Sequence, residues 1–387
     1  MRSVELFSGC GGLAMGLSMA GFEHDLMVEW NGDACATITQ NKLRGIEYAS
    51  NWPIRCEDVR KIDWREIDRE PHLVAGGPPC QPFSIGGRHT GNEDSRDMWP
   101  QAIRAVRDLS PRGFIFENVK GLLRTAFADY LAWIIAHLAS PHLEKFDHET
   151  YQEHLTRLVG SPDEVVYDVK VLKVNTADYG VAQKRHRVII MGIRRNLGIP
   201  LALPQPTHSR ERLLWDQWVT GQYWARHGMP IPTDRRIAAT DSSLVQRLRR
   251  LTTPPVGSPW VTVRDALLGL GEPNGRNKHI FQAGARVYPG HTGSPLDQPA
   301  KALKAGGHGV PGGENMMVCD DGSVRYFTVR EAARLQGFPD DFIFPCSWTE
   351  SMRQLGNAVP VKLALTVGSH MREALNGDEE VEFLNAA

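Results

Sequence analysis

Between residue 1 and about residue 193, short apolar runs alternate with stretches of helical period. That alternation restricts the fold more than any single motif does. Val4–Phe7, Asp25–Glu29, His72–Ala75, Gly113–Phe116 and Val188–Gly192 are expected strands. Leu13–Ala20, Asp33–Lys42, Trp99–Leu109 and Ala128–Leu138 are expected helices. A helix between successive strands favours parallel pairing, so the expected class is α/β, a doubly wound, mostly parallel sheet. Open sheets of this kind bind ligands outside the carboxyl ends of their strands, so the loops that follow the strands are where chemistry is expected. Residues 139–166 are polar and ambiguous, read as a helix and a loop on the outside.

After about residue 196 the pattern weakens, and residues 198–325 are rich in Pro, Gly, Arg and Trp. With 387 residues, roughly two domains are expected. The division expected here is one unit of 1–193 plus 328–375, a second unit of 194–327 and a disordered acidic tail of 376–387. The formal net charge is −1, which by itself points to no nucleic acid. Yet Arg194–Leu251 holds ten arginines against four acids, a local excess of six. Arginine suits bidentate contacts to phosphate or guanine; the same run also fits a solvated face with local ion pairs. Phe327 precedes a helical stretch in which Thr328 and Glu331 form a capping box and Gly337-Phe338-Pro339 stops the helix. A last helix follows Asn357-Ala358-Val359-Pro360 and is expected to end near Leu375. The six cysteines are scattered without a C-x-x-C pair and are read as reduced thiols, so no metal site is expected. No signal peptide is apparent, and no apolar stretch approaches the roughly 20 residues of a membrane span. A cytoplasmic protein is expected.

Gly76-Gly77-Pro78-Pro79-Cys80 follows the strand His72–Ala75. Two prolines stiffen this loop, and the glycines allow close backbone approach. Cys80 is therefore either a nucleophile held at a strand end or a packed thiol in a proline turn. Phe7-Ser8-Gly9-Cys10-Gly11-Gly12 follows the first strand and opens a helix, which suits backbone contact with a ligand. Glu29 ends the second strand, where an acid can accept ribose hydroxyls, and Trp30 can stack on a base. Asp58 follows a third possible strand. No Walker lysine is present, which argues against phosphoryl transfer.

Together these motifs resemble those of the DNA (cytosine-5)-methyltransferase family, in the family's usual order and over nearly the whole chain. Gly77 to Ser84 matches the nucleophile loop, Glu117-Asn118-Val119 the acid motif, and Gln183-Lys184-Arg185-His186-Arg187 the Gln-x-Arg-x-Arg motif. Arg330–Pro339 resembles the helix bracing the recognition domain, and Gly356–Pro360 the final cofactor motif. The resemblance implies a Rossmann-like, S-adenosyl-L-methionine-dependent methyltransferase with a smaller, irregular target-recognition domain. It implies catalytic roles for Cys80, Glu117, Arg185 and Arg187. It places Phe7, Ser8, Gly9, Gly11, Gly12, Glu29, Trp30, Asp58, Val59, Pro79, Asn357, Ala358 and Val359 at the cofactor. It places Gln81, Ser84, Arg88, Arg96, Lys301 and Leu303 at DNA. Two positions depart from the pattern: Trp99 stands where Asp-x-Arg-x-x-Leu has leucine, and Ala302-Leu303 replaces a Thr-Leu pair.

The implied reaction begins with thiolate attack by Cys80 on C6 of a flipped-out cytosine, which makes C5 nucleophilic. Glu117 bonds the N3 edge as charge develops. Arg185 and Arg187 hold O2 and a phosphate, and water is an acceptable acceptor for the C5 proton. The expected partner is double-stranded DNA, bound by a monomeric, prokaryotic, nucleoid-associated enzyme. A cognate restriction endonuclease is an admissible partner, with no obligatory contact. The competing classes are an RNA cytosine-5 methyltransferase, a cysteine hydrolase lacking any recognisable histidine partner for Cys80, and a binding module with a decayed site.

Overall fold

The computed structural model describes residues 1–79, 97–233, 237–305 and 314–385. All five expected strands are present, as β1 (Arg2–Leu6), β2 (Glu23–Glu29), β4 (Leu73–Gly76), β5 (Gly113–Val119) and β8 (His186–Arg194). They are joined by β3 (Ile54–Cys56), by β6 (Tyr167–Asn175) and, outside the main sheet, by the short β7 (Gln183–Lys184). The main sheet has seven strands in the order β3-β2-β1-β4-β5-β8-β6. β8 runs antiparallel to β5 and β6 antiparallel to β8, while the pairs from β3 to β5 are parallel. The chain steps outward from β1 through β2 to β3, then returns to place β4 on the other side of β1. That reversal opens a crevice at the carboxyl ends of β1 and β4, the position where such sheets bind ligands.

The expected helices form as α1 (Gly12–Met19), α2 (Gly32–Leu43), α3 (Trp99–Leu109) and α4 (Ala128–Ala139). The ambiguous stretch contributes α5 (Tyr151–Val159), started by a capping box of Thr150 and Glu153. Strand side chains alternate between two cores, as period two requires. Val4, Leu6, Phe114 and Phe116 face Trp99, Ile103 and Trp133 of α3 and α4. Leu73, Ala75, Ile115 and Ile189 face Leu13 and Leu17 of α1, together with Leu363, Val367 and Met371.

The segment 194–327 divides in a way its weak periodicity does not reveal. α6 (Arg210–Trp218), α7 (Gln222–Arg226) and α8 (Ala239–Leu248) build two small clusters of their own, around Trp215 with Val245 and around Tyr223 with Trp224. By contrast, α9 (Val263–Leu267) and residues 300–305 and 314–327 pack Val263, Ala300, Leu303, Met317 and Phe327 into a third core. That core also holds Ile38 and Trp52 near α2, and Phe338, Phe342 and Leu355 further on. α10 (Val329–Gln336) has the expected capping box of Thr328 and Glu331 and a left-handed Gly337 at its end. α11 (Trp348–Asn357) follows. The last helix, α12, runs Val361–Asn385 and does not stop near Leu375, so the separate tail expected from 376 is helical through Asn385. Its only strong helix breaker there is Gly377, which one turn tolerates at a cost of about 1 kcal/mol.

Candidate active site

The glycine loop leaves β1 with Phe7, Gly9 and Gly11 at positive φ (57°, 55° and 87°). Only glycine reaches such angles without strain, and Phe7 adopts one because its neighbours hold it. The Ser8 amide donates to Val28 O at 3.1 Å, tying the loop to β2. The Glu29 carboxylate then accepts the Gly9 amide and the Asn31 amide, each at 2.8 Å. One acid thus joins the loop to the start of α2. Gly11 abuts the Trp52 ring and Gly12 abuts Val359 O, where any Cβ would overlap, at 2.5 and 2.3 Å. The side of Gly9 that a Cβ would occupy is open, with nothing within 4 Å. An open turn at the switch point leaves room against Gly9 for a ligand such as S-adenosylmethionine. Trp30 is 72 % exposed and available to stack.

Two of the expected cofactor residues are engaged otherwise. The Asp58 carboxylate is held by the Arg60 guanidinium at 3.0 Å and by the Arg60 amide, and this hydrogen bonding lowers its pKa. The Val59 side chain is buried in the first core, and its carbonyl accepts Arg104 Nη2 at 2.8 Å. Ala358 and Val359 pack against Gly12, with Asn357 exposed beside them. The last motif thereby lies along the glycine loop.

The proline loop leaves β4 next to β5. Gly76 pairs with Phe116 and passes so close to Leu6 O that a Cβ there would lie 2.7 Å away. Pro78 O accepts Asn118 Nδ2 at 3.2 Å. Asn118 was not among the expected site residues; its place beside Glu117 after a strand is the only sequence signal for this anchor. Gly77 and Pro79 flank it, and Glu117 Oε2 would lie 3.8 Å from a Cβ on Gly77. Cys80, Gln81, Ser84, Arg88 and Arg96 lie outside the described residues.

Glu117 and Arg187 meet across the β5–β8 pairing, with Arg187 Nε 2.6 Å from Glu117 Oε1. Neither of these atoms has an aligned hydrogen bond, so the contact is one of charge. Arg187 Nη1 donates to His186 O at 2.8 Å. Arg185 differs from the expectation of two arginines sharing an open face. It is 2 % exposed, and it donates Nη1 to Leu303 O at 3.2 Å and Nη2 to Gly356 O at 2.5 Å. Burial, then the nearby Arg187, disfavours its charge. Arg185 therefore braces the recognition segment against the final cofactor motif.

Lys301 and Leu303 are likewise placed by packing. Ala300–Lys301 pairs with β7, the Lys301 ammonium meets the buried Glu314 carboxylate at 2.8 Å, and the Leu303 side chain is buried. The Leu303 amide donates to Gln183 Oε1 at 3.0 Å. The Leu303 side chain belongs to the third core, where the resemblance implies a contact with DNA. Trp99 fills the leucine position of its motif as a fully buried ring edge-on to Phe116. Much of the arginine excess is also internal: Arg194, Arg195, Arg210, Arg212 and Arg226 pair with Glu70, Asp168, Asp241, Asp216 and Asp265. Arg247, Arg249 and Arg250 remain exposed at the end of α8, and Arg235 and Arg236 lie outside the described residues.

A sequence model of the C-5 cytosine-specific DNA methylases matches residues 1–373. The chain belongs to that family. Among its relatives, the Type II methyltransferase M.PspPI of Psychrobacter sp. is 30 % identical over 96 % of this chain and 79 % of its own. The Type II methyltransferase M.FnuDI of Fusobacterium nucleatum is 28 % identical over 99 % of this chain and 97 % of its own. The fold is shared with a putative DNA modification methyltransferase encoded within an E. coli prophage, at a TM-score of 0.59 and 21 % identity over 97 % of this chain and 99 % of that one. The S. pombe Dnmt2 methyltransferase has the same fold, with a TM-score of 0.56 and 17 % identity over 97 % and 99 % of the two chains. As a C-5 cytosine-specific DNA methylase, this chain carries the family's motifs on the sheet edge where the fold places ligands. No helix among the described residues is long and apolar enough to cross a membrane.

Proposed function

We propose that this DNA (cytosine-5) methyltransferase moves a methyl group from S-adenosyl-L-methionine to C5 of a flipped-out cytosine in a specific duplex sequence, through a covalent bond between Cys80 and C6. The observation that carries this is the meeting of Glu117 and Arg187 at 2.6 Å, one residue from the Asn118 side chain that anchors the Pro78 carbonyl. The loop bearing Cys80 and the acid therefore leave adjacent parallel strands at the same edge.

When bound, the cofactor supplies an electrophilic methyl on a sulfonium. The residues that would hold it are the Phe7–Gly12 turn, Glu29, Trp30, Asp58 and the Asn357–Val359 strip, with Asp58 exchanging its Arg60 contact for the ligand. The chain's own work lies at the base. Cys80 adds through sulfur to C6, and the electron pair moves toward N3. Glu117 faces that edge and shares the proton there, so charge does not build up on the ring. Arg187 holds the Glu117 carboxyl in place and offers its remaining N–H groups to O2. Water takes the C5 proton before Cys80 leaves. Backbone positioning on duplex DNA falls to the exposed arginines at the end of α8.

The family description and the Type II names of its relatives support DNA over RNA as substrate. We further propose that the enzyme acts in the cytoplasm as a monomer, alongside a restriction endonuclease it need not touch. Expression in a methylation-free host, followed by sequencing for modified cytosine, tests this. The expected result is 5-methylcytosine at one short recurring sequence; methylation of RNA alone would overturn the substrate assignment.

A further inference from the structure

Two thiols converge behind Glu29, and methyl transfer uses neither. Cys35, early in α2, is buried and donates Sγ to Glu29 O at 3.3 Å. Cys56 ends β3, is exposed, and is paired with Glu29 in the β2–β3 register. The Glu57 amide donates to the same carbonyl at 2.9 Å. Cys35 Sγ and the amide that follows Cys56 thus converge on one backbone oxygen, that of the residue the register sets opposite Cys56.

We propose that Cys35 and Cys56 form a redox-modifiable pair that closes to a disulfide under peroxide and weakens cofactor binding through Glu29. The cofactor half of this rests on the function proposed above. Exposed Cys56 meets the oxidant first: its sulfur attacks hydrogen peroxide, the O–O bond breaks, and a sulfenic acid and one water result. Burial and the adjacent Cys56 hold the Cys35 thiol far above its ordinary pKa, so it stays protonated until then. Cys35 sulfur next displaces the sulfenic hydroxyl, which leaves as a second water with the Cys35 proton. Two thiols lose two electrons to the peroxide, and one S–S bond forms. The proton that bonded Glu29 O is then gone, and α2 is tied to β3. Because the Glu29 carboxylate holds the Gly9 and Asn31 amides, its displacement reaches the glycine loop.

The test uses full-length protein carrying Cys80→Ser, so that the proposed nucleophile takes no part in oxidation. The protein is treated with hydrogen peroxide, mapped by peptide mass spectrometry, and titrated with S-adenosylmethionine before treatment, after it, and after dithiothreitol. The expected result is a Cys35 peptide linked to a Cys56 peptide. Affinity should fall roughly fivefold, the worth of about one hydrogen bond, and be restored by dithiothreitol. Both effects should vanish in Cys56→Ala. A missing linked peptide, or a linked peptide with unchanged affinity, overturns the proposal. Absent affinity in the reduced protein would contradict the cofactor assignment and the coupling with it, and the peptide map separates that failure from a failure of the thiol pair.

Discussion

Glu117 and Arg187 are each about nine-tenths buried and in charge contact, so each depends on the other. Glu117→Gln keeps the shape but loses the shared proton; turnover in single-turnover methylation should fall by about 10²–10⁴-fold, while S-adenosylmethionine affinity stays unchanged. Equal loss of both would make Glu117 a structural acid. Arg187→Ala leaves a buried carboxylate unpaired and should cost about 3 kcal/mol in urea denaturation; a cost near zero would mean that solvent already screens the pair. At this scale the sequence says which residues matter better than it says how. Glu117 ends an apolar strand, and that places it. The alternation Lys184-Arg185-His186-Arg187 could not reveal that Arg185 turns inward, because the carbonyls it serves, on Leu303 and Gly356, are more than a hundred residues away in sequence.

At the scale of elements, α1 and α12 pack against each other through glycine. A Cβ on Gly16 would stand 2.4 Å from Ala364 Cβ and 2.5 Å from Leu365 N, and the second neighbour is backbone that cannot rotate away. Gly16→Ala should therefore destabilise by about 1–3 kcal/mol, although alanine is the better helix former by about 1 kcal/mol. A stabilised variant in urea denaturation would show that the two helices can separate freely. Elements with a strong period were legible: the five inner strands and the four helices between them match their apolar runs. β6 was not, because it is an edge strand and its Asp168, Lys170 and Lys173 interrupt the apolar signal. The division of 194–327 was hidden for another reason. Val263, Ala300 and Phe327 join a core whose members outside this segment lie before residue 55, at Ala182 or after residue 328, and no local pattern records such contacts.

For the molecule as a whole, buried histidines set the response to acid. His24 lies beneath the glycine loop, with Ser3 Oγ at 3.0 Å and Ala14 O at 3.3 Å, and burial lowers its pKa to about 4. His137 sits between Trp133 and His154, its ring nitrogens lack hydrogen-bond partners among the described residues, and burial lowers it to about 3. Both values lie below the ordinary 6.5, so the unfolded chain takes up these protons first. The contribution is fully present above pH 6.5, and stability should fall as pH drops from there toward about 4. The urea midpoint at about pH 5 should lie below that at neutral pH, and His137→Phe should flatten part of the fall. A midpoint constant over that range would mean that both rings are solvated.

The covalent step proposed for Cys80 is tested most directly by trapping it. Duplex DNA carrying 5-fluorocytosine at the methylated position has no C5 proton to lose, so the thiol cannot leave after methyl transfer. Incubation with protein and S-adenosylmethionine should give an adduct that survives denaturant, with the DNA linked to the peptide containing Cys80, and none with Cys80→Ser. Normal methyl transfer by Cys80→Ser, or an adduct mapped to another residue, would contradict it.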